Sequence, residues 1–200
     1  EMTSSLVGSE MCIRDRMHPL EKFEYCPKCG SHHFVESGAT SKKCENCGFE
    51  YFMNASSANV AIIKNAKGEL LVERRKNEPA KGMLDLPGGF AMPGETAEEG
   101  VRREVLEETG LVVKDVNYLF SLPNVYRYSG MDIHTLDMFF TCEVEDETVM
   151  KASDDAAECM WVAPDDIHTE QFGLRSVRWG LITYLERQIT HRPENGEALL

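Results

Sequence analysis

Two things are missing from this chain of 200 residues: a long hydrophobic run, and any excess of basic charge. No apolar stretch approaches the roughly 20 residues that a membrane-spanning helix needs, so none is expected and no membrane is a partner. Lys and Arg number 21 against 34 Asp and Glu, a formal net charge of −13. That balance argues against a broad, sequence-blind nucleic-acid binder, which would carry a basic stripe. An acidic enzyme that holds phosphates through cations stays open. Internal repeats and low-complexity tracts are absent too, leaving one ordinary domain or a small module joined to a larger one.

The first sixteen residues, EMTSSLVGSEMCIRDR, show neither strand nor helix period. A secretory signal does not fit, because Gly8, Glu10 and Arg14 break its apolar core. The string LVGSEMCIRDR resembles the translation of a transposase adapter used in preparing sequencing libraries. Residues 1–16 are therefore expected to be a non-native segment or a disordered tail, with the native chain opening at Met17. Residues 191–200 read as a tail.

Cysteine is not scarce, but its spacing excludes a secreted disulfide framework. Beyond Cys12, four cysteines stand in two close pairs, and Cys142 and Cys159 are isolated and read as small core residues. A reducing cytoplasm is the expected compartment. Cys26-Pro-Lys-Cys29 and Cys44-Glu-Asn-Cys47 are separated by fourteen residues, and a glycine (Gly30, Gly48) follows each pair. Two such knuckles complete a tetrahedral Zn²⁺ site, and four sulfurs close it to substrate, so the role is structural. His32 and His33 are surplus as ligands. Residues 17–54 thus read as a small zinc ribbon ahead of a domain over 55–190.

In that second domain, VAII and ELLVERR flank NAKG as a β-hairpin. LDLPGGFAMPGE is a loop punctuated by Gly and Pro. Thr96 and Glu99 form a capping box for a helix running to Thr109, with Gly110 as its stop. LVVKDVNYLFSL reads as a strand, PNVYRYSG as a loop, and HTLDMFFTCEV as a strand with Leu136, Met138, Phe140 and Cys142 on one face. CMWVA is a short strand and PDDI turns into a short helix. Leu174, Val177, Leu181 and Leu185 mark a final helix. The expected class is α/β.

The capped helix poses a question of charge. At about 100° per residue, Glu104, Glu107 and Glu108 fall within an arc of roughly 100°. Two carboxylates about 4 Å apart at an effective dielectric near 20 repel by about 4 kcal/mol. A solvated acidic face is the ordinary reading of such a cluster. A divalent cation reverses the sign of the interaction, and Mg²⁺ or Mn²⁺ prefers these hard oxygens.

The surroundings decide for the metal. Gly89, Glu95, Arg103, Glu104, Val105, Glu107, Glu108, Gly110 and Leu111 fill every fixed position of the pattern GX5EX7REUXEEXGU, where U is aliphatic. The chain therefore resembles the Nudix hydrolases. The resemblance implies an α/β/α sandwich with a mixed sheet and metal-dependent hydrolysis of a nucleoside diphosphate linked to another moiety. It implies Glu104, Glu107 and Glu108, with the Gly88 carbonyl, as metal ligands, and Glu95 and Arg103 as their supports. Asp155, six residues before Trp161, matches a further carboxylate of zinc-ribbon relatives, with Glu158 as the alternative.

A four-cysteine ribbon ahead of such a domain is similar to the NADH pyrophosphatase branch, which also removes NAD caps from RNA. That branch carries SQPWPFPxS after the box. Here SLPNVYRYS stands at the same distance, keeping Ser121, Pro123 and Ser129, with Tyr126 as the aromatic. These four are the expected substrate-binding residues. Dinucleotides, ADP-sugars and NAD(H)-like compounds stand level as substrates. A nucleotide sensor without turnover and NAD-cap removal from RNA are the alternatives. Nucleic acid is otherwise not an expected partner, and a homodimer is expected only because members of the family often pair.

Overall fold

Residues 18–153 and 155–190 are described by the structure, a computed structural model. The adapter-like residues 1–16, the start expected at Met17 and the tail 191–200 lie outside the described residues. The chain divides into two units, one ending at Asn54 and one beginning at Ala55.

Tight turns build the first unit. Gly30 and Gly48 both take φ +73°, a left-handed conformation that costs glycine nothing, and their amides donate to the carbonyls of Cys26 (2.8 Å) and Cys44 (2.9 Å). The two turns therefore fold each CxxC pair alike. Strands β1 (Phe34–Gly38), β2 (Ser41–Cys44) and β3 (Glu50–Phe52) form an antiparallel sheet in that order. Its small core is Cys26, Phe34 and Cys44, with Cys47 and Phe49 packed against them.

In the second unit, β4 (Ser56–Ile63) and β5 (Leu70–Arg75) are joined by the expected turn at Asn65–Gly68, which the Asn65 side chain ties by accepting from the amides of Lys67 and Glu69. The strands do not form a hairpin. One bridge, Lys64 to Leu70, pairs them at the turn, and they then part into different sheets. The apolar runs on both sides of the turn are buried on two faces, and separate sheets satisfy that better than a flat pair with one wet face. A three-stranded sheet has the order β10 (Ala156–Val162), β5, β6 (Leu84–Asp85). A four-stranded sheet has the order β7 (Gly88–Phe90), β4, β9 (Met131–Val144), β8 (Val113–Tyr128), with β4 and β9 parallel and the other pairs antiparallel.

Strand β8 corrects a second expectation. PNVYRYSG is not a loop: the strand runs through Pro123 to Tyr128 and turns at Ser129 (φ +51°) and Gly130 (φ +75°) straight into β9. Proline lacks the amide that a central strand needs, but β8 is the sheet edge, where one row of amides is unpaired anyway.

Helix α1 (Ala97–Thr109) forms as read. Thr96 accepts from the Glu99 amide while the Glu99 side chain accepts from that of Thr96, and Gly110 caps the end at φ +71°. Helix α2 (Arg175–Thr190) covers the other face. Alternation along β4 and β5 separates two cores. Val60, Ile62, Leu70 and Val72 meet Phe139 and the Val177, Leu181 and Tyr184 of α2. Ala61, Ile63 and Leu71 meet Phe140, Cys142 and the Val101 and Val105 of α1. The result is an α/β/α sandwich. Met138, Phe140 and Cys142 share the α1 face as expected, whereas Leu136, 43% exposed, lies outside it. Helix α2 sits on β9 at Gly180, where a Cβ would stand 2.2 Å from the Phe139 ring.

Candidate functional site

The four sulfurs of Cys26, Cys29, Cys44 and Cys47 lie within 4.8 Å of one another. Cys26 to Cys47 is 3.7 Å and Cys29 to Cys44 is 3.6 Å. A tetrahedral ion with metal–sulfur bonds of about 2.3 Å requires sulfur–sulfur edges of about 3.8 Å, so the donor set and its spacing fit Zn²⁺. A hydrogen bond with the Ser31 backbone, helped by Cys47 and Asn46, lowers the Cys29 thiol to about 6. Although the Phe49 backbone favours its thiolate, burial and the neighbouring thiols push Cys47 up to about 12. Crowded thiols that cannot all ionise on their own are what a cation would resolve.

In the second unit, a cleft of about 550 Å³ runs along the C-terminal half of α1. Glu104, Glu107 and Glu108 line it with Gly88 and Gly89, so all the expected metal ligands except the cysteines share one wall. The close approach of two glycines shapes that wall. A Cβ on Gly89 would stand 2.6 Å from the Glu104 carboxylate, and one on Gly88 would stand 2.0 Å from the Asn59 carbonyl oxygen. The Gly88 amide donates to Glu108 Oε2 at 2.8 Å.

Arg103 is the hub beside them. Its guanidinium donates to Glu95 Oε1 (2.7 Å) and Oε2 (3.1 Å), to Glu104 Oε1 (2.8 Å), to Glu107 Oε2 (3.0 Å) and to the Phe90 carbonyl (3.1 Å). Glu95 also accepts from the Met92 amide at 2.6 Å. The Arg103 hydrogen bonds first, then the Met92 amide, hold the Glu95 carboxyl down at about 2. Arg103 itself is raised above its ordinary value, chiefly by Glu95. One arginine thus orients three carboxylates and the carbonyl at the end of β7.

Glu108 is 4% exposed. Burial, then the charge of Glu73, push its carboxyl up to about 10 against the pull of the Gly88 amide. Burial also raises Glu104, opposed by Arg103. The oxygens of the three box glutamates do not converge on one point. Among the described residues, the four cysteines are the one group whose donor atoms all lie within 4.8 Å. What fits a hard cation is the chemistry of this wall: oxygen donors only, Glu108 buried and Glu104 half-buried, on a backbone stripped of side chains.

Asp155 stands at the rim of the cleft, with Oδ1 accepting from Asn77 at 2.7 Å. Glu158 instead pairs with Arg74 at 3.1 Å and does not line the cleft. Tyr126 lines it, with its ring edge-on to Phe90 at 5.7 Å and its hydroxyl accepting from Arg75 at 3.4 Å. Ser121 and Pro123 do not line it, because side chains alternate along β8 and the cleft receives Asn124, Tyr126 and Tyr128. Ser129 is in the β8–β9 turn and is likewise not among the lining residues.

Sequence reading missed a second set of acids. Glu73, Asp85 and Asp137 line the cleft at 3–4% exposure. Asp85 accepts from Arg75 at 2.5 Å, and its carboxyl is nonetheless raised by burial. Burial, then Asp85, push Glu73 up to about 8. Asp137 accepts from Thr135 and from Ser176, both at 2.5 Å, so the strand HTLDMFF and the helix start FGLRS meet here. The available signal was an acid at an inward phase of an apolar strand: Glu73 after Leu70–Val72, Asp85 between Leu84 and Leu86.

Comparison with known proteins follows the same lines. The family described as NUDIX domain matches residues 53–184. The chain is 29% identical over 114 residues to the NAD-capped RNA hydrolase NudC of Vibrio cholerae, which covers 57% of this chain and 42% of that one. It is 28% identical over 147 residues to the protein of that name from Deinococcus radiodurans, covering 72% and 50%. The chain thus spans about half the length of the relatives it matches. Among solved structures, a NUDIX hydrolase from Nitrosomonas europaea superposes with a TM-score of 0.66 at 21% identity, over 86% of this chain and 96% of that one, a likeness of fold.

Proposed function

The chain belongs to the NUDIX family, and from that footing we propose that it is a divalent-metal-dependent pyrophosphohydrolase acting on a nucleoside diphosphate joined to another moiety. A NAD(H)-like dinucleotide is the substrate class we favour, because the relatives named above are NAD-capped RNA hydrolases. The observation that carries the reading is the wall of the cleft: Glu104, Glu107 and Glu108 set around Gly88 and Gly89, with Arg103 and Glu95 behind them and an aromatic Tyr126 in the same cleft.

In this reading Glu104, Glu107, Glu108 and the Gly88 carbonyl hold Mg²⁺ or Mn²⁺. The bound ion would neutralise the diphosphate and lower the pKa of a water for attack on phosphorus. Arg103 fixes the carboxylates so that they need not reorganise, which is where preorganised sites gain rate. Asp155 is the acceptor we assign for the proton of the attacking water. Tyr126 offers a ring for a base or nicotinamide to stack on. We assign residues 17–54 to a zinc ribbon and residues 55–190 to the hydrolase domain. Cys26, Cys29, Cys44 and Cys47 hold Zn²⁺ for structure alone, since four sulfurs leave no open position.

A panel of NADH, NAD⁺, ADP-ribose, diadenosine polyphosphates, nucleoside triphosphates and NAD-capped RNA, each with Mg²⁺ and Mn²⁺, tests the proposal. Release of AMP from NADH is the expected result. Tight nucleotide binding with no turnover of any member would overturn it in favour of a sensor.

A further inference from the structure

The floor of the cleft carries a buried acid that the box does not account for. Glu73 lies on β5, two residues after Leu71, so its side chain leaves the same face of the strand, toward α1. Its register partner on β6 is Asp85, which places two acids directly opposite each other in an antiparallel pair. Like charges in that relation destabilise a sheet. Arg75 bonds only one of them, Asp85, at 2.5 Å, and reaches Glu73 through its charge alone. Glu73 Oε2 is buried with no hydrogen-bond partner among the described residues. Glu108 faces the same space from α1 and has one donor, the Gly88 amide. A second, separate orphan lines this cleft: Asn59 on β4, 1% exposed, leaves both amide atoms without a partner.

An unpaired buried carboxylate oxygen is among the costliest groups a fold can keep, and removing its charge while preserving its shape would ordinarily stabilise the protein. Glu73 beside Asp85 and Glu108 is thus a carboxyl that no neighbouring donor satisfies. A divalent cation is the ligand class that fits: it binds hard carboxylate oxygens, and it converts three mutually repelling acids into a bound set.

We propose that Glu73 is a further ligand of the divalent cation, reaching it from the sheet while Glu108 reaches it from the helix. This rests on the metal-dependent reading above. Glu73 lies outside the box and sixteen residues before Gly89, so no box pattern includes it.

The test is Mn²⁺ binding to the full chain, read by the electron paramagnetic resonance of free Mn²⁺, for the wild type and Glu73→Gln. Thermal melts in EDTA and in Mg²⁺ run alongside. Glu73→Gln is expected to bind Mn²⁺ about tenfold or more weakly, to melt in EDTA no lower than wild type, and to lose much of the rise in Tm that Mg²⁺ gives. Mn²⁺ affinity within twofold of wild type would overturn the proposal, and a lower melt in EDTA with unchanged affinity would mark Glu73 as merely structural. Should Glu73→Gln fail to fold, Glu73→Asp keeps the charge but withdraws it by one methylene, and weaker Mn²⁺ uptake is again required. If the wild type itself takes up no Mn²⁺, the metal-dependent reading falls. If the wild type binds and the variant binds equally, only the role of Glu73 falls.

Discussion

Ser176 donates a hydrogen bond to Asp137 at 2.5 Å, joining the first turn of α2 to the middle of β9 at the back of the cleft. Both residues are almost fully buried, and Thr135 occupies the other carboxylate oxygen. Bonds to a buried charge are worth about 1.5–3 kcal/mol each. Ser176→Ala is therefore expected to lower unfolding stability by about 1.5–3 kcal/mol in urea titrations, with an unchanged m-value. A loss below about 0.5 kcal/mol would show that the contact is incidental.

Glu108→Gln should keep the fold and lose activity on the order of 10²-fold or more, because the most buried of the box acids would no longer offer a charge to a cation. Near-wild-type turnover would count directly against the site.

The same residue yields a pH prediction. Glu108 and Glu73 have folded-state values raised from 4.5 to about 10 and about 8. A carboxyl raised in this way favours folding while it is protonated in the native state. Its contribution is fully present below about 4.5 and is lost as pH rises through the folded value. In EDTA the Tm should therefore fall between about pH 5 and pH 10, and Glu108→Gln should flatten that slope. An unchanged slope in the variant would refute the assignment.

Adjacent glycines should behave differently. Gly88 has φ +155°, and a Cβ there would meet the Asn59 backbone. Gly88→Ala is expected to cost on the order of 3 kcal/mol, since neither partner can move aside. A Cβ on Gly89 would meet the far end of Glu104, which can swing away. Gly89→Ala should cost less than about 1 kcal/mol of stability while still lowering kcat. Thermal melts and steady-state rates on the pair separate the two effects, and equal stabilities would contradict the distinction.

Zinc removal bears on the other unit. Chelation should strip one ion held by Cys26, Cys29, Cys44 and Cys47 and raise amide exchange across β1–β3, because so small a core cannot hold itself. A zinc-free preparation with the original exchange pattern would exclude a structural role.

What the sequence made legible was local. The capping box at Thr96 and Glu99, the stop at Gly110 and the two CxxC turns each depend on residues within a few positions, and each stands where the spacing predicts. Contacts that close over long separations were not legible. Pro123 reads as a breaker until β8 is known to be an edge, and the Asn65 turn reads as a hairpin until β4 and β5 are seen to enter different sheets. Glu73 and Asp137 look like ordinary charges on strands. Their roles depend on Asp85 and Ser176, partners set by tertiary structure rather than by period.

The bare Cα at Gly180 has a reach beyond its own contact with Phe139. Any substituent there would jack α2 away from the sheet, and Ser176, one turn earlier, would ride up with it out of range of Asp137. A position that does not line the cleft thereby bears on the seat of Asp137 at its back, and a single methyl would act on it as a wedge.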